Sequence, residues 1–409
     1  MGEIAEDLAS IVAGGELAGA VTMIRQGDQV LDISCVGWQD RTGGLPMRRD
    51  TLFRIASMTK PITSTVALMM FEQGRFELDD PIARWAPELT DMRVVDLDVE
   101  PDSVPSRTTR DITFADLLTH RAGLTYADFV SGSFAETYAA ALGRQIDGQW
   151  TPDEWIARLG ALPLIDHPGH NFHYGHSTDL LGFLLARIED APLPDVLARR
   201  LFKPLGMVDT GFTVAADHSD RLAAHHGFDD DGRLTVLEGT PDGHALASRP
   251  PETTFCSGGQ GLWSTVDDFV TFARTFVEGG TVDGVRVLRP DTLGLMTSNQ
   301  LTPSQRAAAE MLGRRPFAAG HGFGMGVAVV TDPATADPLI CGGGIGAVGW
   351  PGAFGSWWQA DPNNGSVMVL LTHNMVSLDQ LEQGIGFGVF DATMRFQASA
   401  TAMLASTSS

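Results

Sequence analysis

Ser57 and Lys60 stand three residues apart in Ser57-Met-Thr-Lys60, at the start of a helical pattern over 58–74 and just after the apolar stretch 52–56. On a helix that spacing places both side chains on one face, where an amine can take the proton of a hydroxyl. A helix N-terminus adds free N–H groups and partial positive charge, which favour the oxyanion formed when serine attacks a carbonyl. The chemistry implied is acyl transfer through Ser57. A plainer use is open as well, because serine is a common N-cap and an S-x-x-K also arises by chance. Lysine supply narrows the choice: nearly all of the 28 basic residues are arginine, and the lysines are Lys60 and Lys203. A lysine titrating near its usual value of about 10.4 is a poor base, so burial, a neighbouring cation or a tyrosine must assist it. Tyr126, Tyr138 and Tyr174 are the tyrosines available.

The elements that position this pair open with a helix over 4–14 and two alternating runs, 20–25 and 29–36, joined by Gly27-Asp28 as a hairpin. Helical patterns follow at about 58–74, 113–120, 152–162, 177–190 and 194–201. Residues 211–254 are rich in loop signals, with Phe228-Asp-Asp-Asp-Gly232 reading as a hairpin turn rather than a calcium loop. A strand is expected over 322–330, two more over 356–360 and 366–372 flank the turn Asp361-Pro-Asn-Asn-Gly365, and a helix over 378–397 closes the chain. The fold class is therefore α/β (α+β), an antiparallel sheet flanked by N- and C-terminal helices with an inserted helical lobe. Residues 1–398 read as a single unit: an α/β lobe over about 1–75 and 255–398, a mainly helical lobe over about 76–210, a loop-rich insertion over about 211–254, and a frayed tail at 399–409.

With 409 residues, 43% of them hydrophobic, the chain can bury a large core. A net charge of −23 without any basic run argues against nucleic acid and membrane surfaces as partners. No apolar run approaches the ~20 residues of a membrane span, and the acidic start through Glu3, Glu6 and Asp7 does not resemble an export signal, so a cytoplasmic location is expected. Cys35, Cys256 and Cys341 are widely spaced and read as small buried hydrophobes. His167, His170, His173 and His176 recur every three residues, but Pro168 and Gly169 interrupt any regular element, so no metal is expected. Gly175-His-Ser-Thr-Asp179 lacks the final glycine of a nucleophile elbow, and Gly342-Gly-Gly-Ile-Gly346 lacks the helix and acidic partner of a dinucleotide site. His120 and His225 are assigned to the core or surface.

Phe53-Arg-Ile-Ala-Ser57-Met-Thr-Lys60-Pro61 and Gln73-Gly-Arg-Phe-Glu-Leu-Asp-Asp-Pro81 resemble the serine β-lactamase and penicillin-binding-protein superfamily, most of all the class C-like family VIII carboxylesterases. Leu117 to Tyr126, Phe202 to Met207, Ser257-Gly-Gly-Gln-Gly-Leu262 and Gly349-Trp-Pro-Gly352 continue the resemblance in order over about residues 20–375. It puts Lys203 in a structural match and leaves Lys60 as the chemical lysine. It makes Tyr174, in Phe172-His-Tyr-Gly-His176, the partner of Lys60, and Tyr126 a pocket residue. It also assigns the oxyanion donors to the Ser57 and Ala353 backbone N–H groups. Two departures bear on substrate. His176 stands where many relatives have asparagine, either lining the pocket or serving as a polar residue at a helix start, and Trp350-Pro-Gly352 replaces the K-T-G strand, with Pro351 unable to donate. Trp350, Gly352 and Phe354 are the remaining pocket candidates. The reading is a cofactor-free serine carboxylesterase for small acyl esters, of undetermined oligomeric state. The alternatives are a β-lactamase, D-aminopeptidase or amide hydrolase, an acyltransferase, or a non-enzymatic acylated sensor.

Overall fold

The computed structural model describes residues 2–95, 105–143, 148–237 and 254–407. Part of the 211–254 insertion and the last two residues of the expected tail therefore lie outside the described residues. Helix α1 (Glu3–Ala13) leads into β1 (Gly19–Gln26) and β2 (Gln29–Asp40), which pair antiparallel around the Gly27-Asp28 turn. β1 is also the partner of Ser366–Leu371, and that strand pairs with Trp357–Asp361 across the Asn-Gly turn. The result is an eight-stranded antiparallel sheet.

Strand alternation explains why helices cover both faces of the sheet. Ala20, Ile24, Trp357, Met368 and Leu370 point into a cluster with Ile4, Leu8 and Ile11 of α1 and with Phe396, Ala400 and Leu404 of the last helix. Their neighbours Val21, Met23, Trp358, Val367, Val369 and Leu371 join the main core. Burial of the two adjacent tryptophans on opposite faces follows from the two-residue period alone.

Several boundaries depart from the sequence patterns. The expected strand 322–330 is a hairpin, His321–Phe323 with Ala328–Val330, closed by the Gly324 N–H on the Val327 carbonyl. The closing helix breaks at 383–386, and its second part runs from Phe387 to Thr407. Ala400 and Leu404 are buried there, so residues past 398 belong to the helix rather than to a frayed tail. Cys35 is exposed on β2, whereas Cys256 and Cys341 are buried as expected. Phe228 to Gly232 does close a hairpin, between His226–Phe228 and Leu234–Val236.

Helix α2 (Thr59–Glu72) is the central post of the molecule, buried over Thr59–Leu68 on all sides. Alanine, threonine and serine all round it let neighbouring elements approach closely, and Pro61 falls in the first turn, where its missing N–H is harmless. The helical lobe adds α3 (Phe114–Leu118), α4 (Gly132–Leu142), α5 (Pro152–Gly160) and α6 (Ser177–Glu189). Capping boxes, Thr113 with Asp116 and Thr151 with Glu154, set the starts of α3 and α5.

Candidate active site

Ser57 lies in a 3-10 turn, Ala56–Met58, directly before α2. Ala56 adopts φ +44°, a left-handed conformation that costs an L-residue about 1 kcal/mol and that turns the chain sharply from the short strand Phe53–Arg54 into the helix. The Ser57 hydroxyl caps nothing. It meets Lys60 Nζ at 3.2 Å and the Tyr174 hydroxyl at 2.8 Å, which removes the N-cap alternative. Tyr174 stands just before α6, with its ring 4.6 Å from Lys60 Nζ, and the Trp350 indole N–H donates to its oxygen at 3.0 Å.

Lys60 is fully buried and has three polar neighbours. Besides Ser57 these are the Gly259 carbonyl at 3.0 Å and the Tyr126 hydroxyl at 3.2 Å. A carbonyl can only accept. The Tyr126 proton is directed to Asp179 Oδ2 at 3.4 Å, and burial together with the Asp179 charge holds that phenol well above its usual range, so Tyr126 also faces Lys60 as an acceptor. Two N–H bonds of Lys60 are thereby committed, and the third tetrahedral position points at Ser57.

Asp179, 2% exposed, was not singled out from the sequence. Its Oδ1 accepts from the Ser257 hydroxyl and from the Gly259 N–H at 3.1 Å, while its Oδ2 accepts from Tyr126 and from His176 Nδ1 at 3.1 Å. Burial would raise this carboxyl, but the His176 hydrogen bond, the His176 and Lys60 charges and the Ser257 hydroxyl outweigh it and hold the group below the ordinary carboxylate range. A Cβ on Gly259 would come within 2.9 Å of Asp179 Oδ1, so glycine is what admits this backbone to the carboxylate. The signal for Asp179 was present as the i, i+3 spacing of His176 and Asp179 at a helix start.

Gly352 brings the Trp350-Pro-Gly loop against the segment before Ser57: a Cβ there would lie 2.6 Å from the Ile55 carbonyl oxygen. Its own N–H is taken by the Ser356 carbonyl at 2.7 Å. The Ser57 and Ala353 N–H groups, by contrast, donate to no described residue and remain available to an oxyanion. Trp350 joins Tyr174, Tyr126 and Phe323 in one aromatic cluster. Phe354 does not. It is 1% exposed, clustered with Ala56 and Met375 and ringed by His225 and His373 at 5.0 and 4.9 Å, so it supports the loop from the core side rather than walling a cleft.

Tyr138 is a core residue whose hydroxyl donates to the Pro163 carbonyl at 2.8 Å. His120 is buried behind Tyr174, its ring 4.9 Å away, and burial together with the Lys60 charge drives its imidazole well below the usual range, leaving it neutral. Three of the four spaced histidines meet a carboxylate: His170 and His173 face Asp166 at 3.3 and 2.9 Å, and His176 faces Asp179.

A serine, an amine and a phenol brought together between an antiparallel sheet and a helical lobe define the serine β-lactamase and penicillin-binding-protein fold. The chain belongs to the Beta-lactamase family, whose model matches residues 4–384. Protein Rv1367c of Mycobacterium tuberculosis (strain ATCC 25618 / H37Rv) is 44% identical over 366 residues, covering 89% of this chain and 88% of that protein. Esterase EstB of Burkholderia gladioli is 30% identical over 369 residues, covering 87% and 86%. Among solved structures, EstCE1, described as a hydrolase with promiscuous acyltransferase activity, superposes with a TM-score of 0.76 at 24% identity over 96% of this chain and 98% of its own.

Proposed function

We propose that this protein is a serine carboxylesterase that forms an acyl-enzyme on Ser57. The observation that carries the reading is the position of Lys60 Nζ, 3.2 Å from the Ser57 oxygen with its other polar contacts made to the Gly259 carbonyl and the Tyr126 oxygen, so that the deprotonated amine turns its lone pair to the Ser57 hydroxyl. Lys60 takes the Ser57 proton as Oγ bonds to the ester carbonyl carbon, and the oxyanion rests on the Ser57 and Ala353 N–H groups. When the tetrahedral intermediate collapses, the C–O bond to the alcohol breaks. Tyr174 donates its proton to the departing alkoxide and regains one from the Lys60 ammonium. Water then attacks the acyl-enzyme, again yielding its proton to Lys60, and the acid leaves as Ser57 is reprotonated. No cofactor takes part.

Small neutral esters suit the site better than β-lactams or cell-wall peptides, because the K-T-G strand is missing and His176 replaces the asparagine of the Tyr-x-Asn element. The 30% identity to Esterase EstB supports the same choice and the family VIII reading. An alcohol in place of water would meet the same Lys60 and Tyr174, so acyl transfer is the second reading, supported by the fold shared with EstCE1. The purified protein should hydrolyse p-nitrophenyl acetate and butyrate, with a chromogenic cephalosporin turned over far more slowly and with added alcohol diverting part of the acyl group. Esterase turnover retained by Ser57→Ala would refute the reading, and a stable adduct without turnover would make the protein a sensor.

A further inference from the structure

We propose that His176 is a positioning residue for Lys60: as a cation it pairs with Asp179 and releases Lys60 from acting as that carboxylate's counter-charge. The inference rests on the assignment of Lys60 as the base that activates Ser57.

The argument is one of charge in a closed space. Asp179 is 2% exposed, and all four of its acceptor positions are filled, by Ser257, the Gly259 N–H, Tyr126 and His176. A carboxylate buried so deeply needs a cation, because an unpaired buried charge is strongly destabilising. Lys60 is the obvious candidate, linked to it through the Tyr126 hydroxyl at 3.2 and 3.4 Å. A lysine serving in that role stays an ammonium, and an ammonium has no lone pair for Ser57. His176 resolves the conflict with its Nδ1 3.1 Å from Asp179 Oδ2. Its side chain keeps 13% of its surface in solvent, so its proton exchanges with water while Lys60 remains enclosed.

The surrounding groups leave these three to settle the charge. From the segment before α4, Tyr126 packs its ring edge-on to His176 at 4.5 Å, and its phenol is held protonated. Helix α5 contributes Trp155 at 5.4 Å, which carries no charge. Tyr174 lies against Lys60 and Tyr126, and His120 behind it is held neutral by burial. The segment 257–259 supplies a hydroxyl and backbone groups. The balance among the described residues is therefore one carboxylate between two candidate cations, one enclosed and aimed at the nucleophile, the other open to water. A neutral amide at this position could donate a hydrogen bond to Asp179 but no charge.

The test is the pH dependence of kcat/KM on p-nitrophenyl acetate for wild type, His176→Gln, His176→Arg and Ser57→Ala, with thermal melts to count folded protein. His176→Gln should move the acid limb up by about one pH unit, the scale of one charge acting across a partly buried network. Its activity should fall about tenfold below the limb and recover above it. His176→Arg, permanently cationic, should return the limb to the wild-type position. A limb that coincides in wild type and His176→Gln, or a loss of equal size at every pH, overturns the proposal while leaving Ser57 in place. Turnover surviving Ser57→Ala overturns both assignments. His176→Asn provides a second neutral variant if the glutamine does not fold, with the same expected displacement.

Discussion

Replacing Trp350 by phenylalanine removes one hydrogen bond from the site and little else. The indole N–H lies 3.0 Å from the Tyr174 oxygen, and Trp350 is 2% exposed, so no bulk water replaces the donor. The ring contacts, to Phe323 at 5.2 Å and Tyr174 at 5.3 Å, remain partly available to a phenyl group. A buried neutral hydrogen bond contributes about 1 kcal/mol, and one to a charged acceptor about 1.5–3 kcal/mol. In the mechanism above, the Tyr174 oxygen becomes negative as its proton passes to the leaving alkoxide, so the larger range applies to the transition state and the smaller to the resting enzyme. The excess, about 0.5–2 kcal/mol, should appear in kcat: a fall of about 2- to 30-fold in kcat/KM with KM little changed. Stability should drop by only about 1–3 kcal/mol, as for other reductions of core volume. Steady-state kinetics on a p-nitrophenyl ester, normalised to folded protein by circular dichroism, would measure both. A kcat/KM within about twofold of wild type in a folded variant would refute the role given to the Tyr174 oxygen.

Other outcomes follow from the same geometry. Gly352→Ala sets a methyl 2.6 Å from the Ile55 carbonyl oxygen and must push the loop away from Ser57, so kcat should fall by about 10²-fold, the effect of losing one oxyanion donor, as read in steady-state kinetics. Burial lowers His225 and His226 from 6.5 to about 4 in the folded state. The unfolded chain then binds more protons between those values, so these groups destabilise the fold as pH falls from about 6.5 to 4, by at most about 3 kcal/mol each. Asp268, raised by burial to about 6, opposes part of this change. Melting temperature should decline over that window, and His225→Phe should flatten the decline. Truncation after Ala398 strips the buried Ala400 and Leu404 from the cluster with α1 and should lower the melting temperature, while kcat per folded molecule stays the same.

Local pattern was enough to read β1, β2, α2, α5 and α6 from the sequence, because alternation and helical periodicity report one-sided burial wherever it falls. It misled at the ends of elements. The hairpin at 321–330 and the last turns of the closing helix depend on what packs against them, which no short window contains. The contact between Ser57 and Lys60 was legible because the two lie three residues apart, so local geometry brings them together. Tyr174 and Ala353 came from resemblance, and Asp179 from neither source. Asp179 acquires its role from chain segments 53 and 80 residues away, through Tyr126 and Gly259, and only the folded chain joins them. Phe354 shows the converse: strand-like alternation makes it a cleft candidate, but it lies in the turn before the strand Trp357–Asp361 and packs into the core beside His225 and His373. Sequence alone determined which residue types were available for acyl chemistry and that a lysine amine had to be that of Lys60 or Lys203, with the resemblance pointing to Lys60. Tertiary structure decided which hydrogen bonds occupy that amine. The direction of its third tetrahedral position depends on a carbonyl, a phenol and a carboxylate from separate segments, whose approach is fixed by packing rather than by spacing.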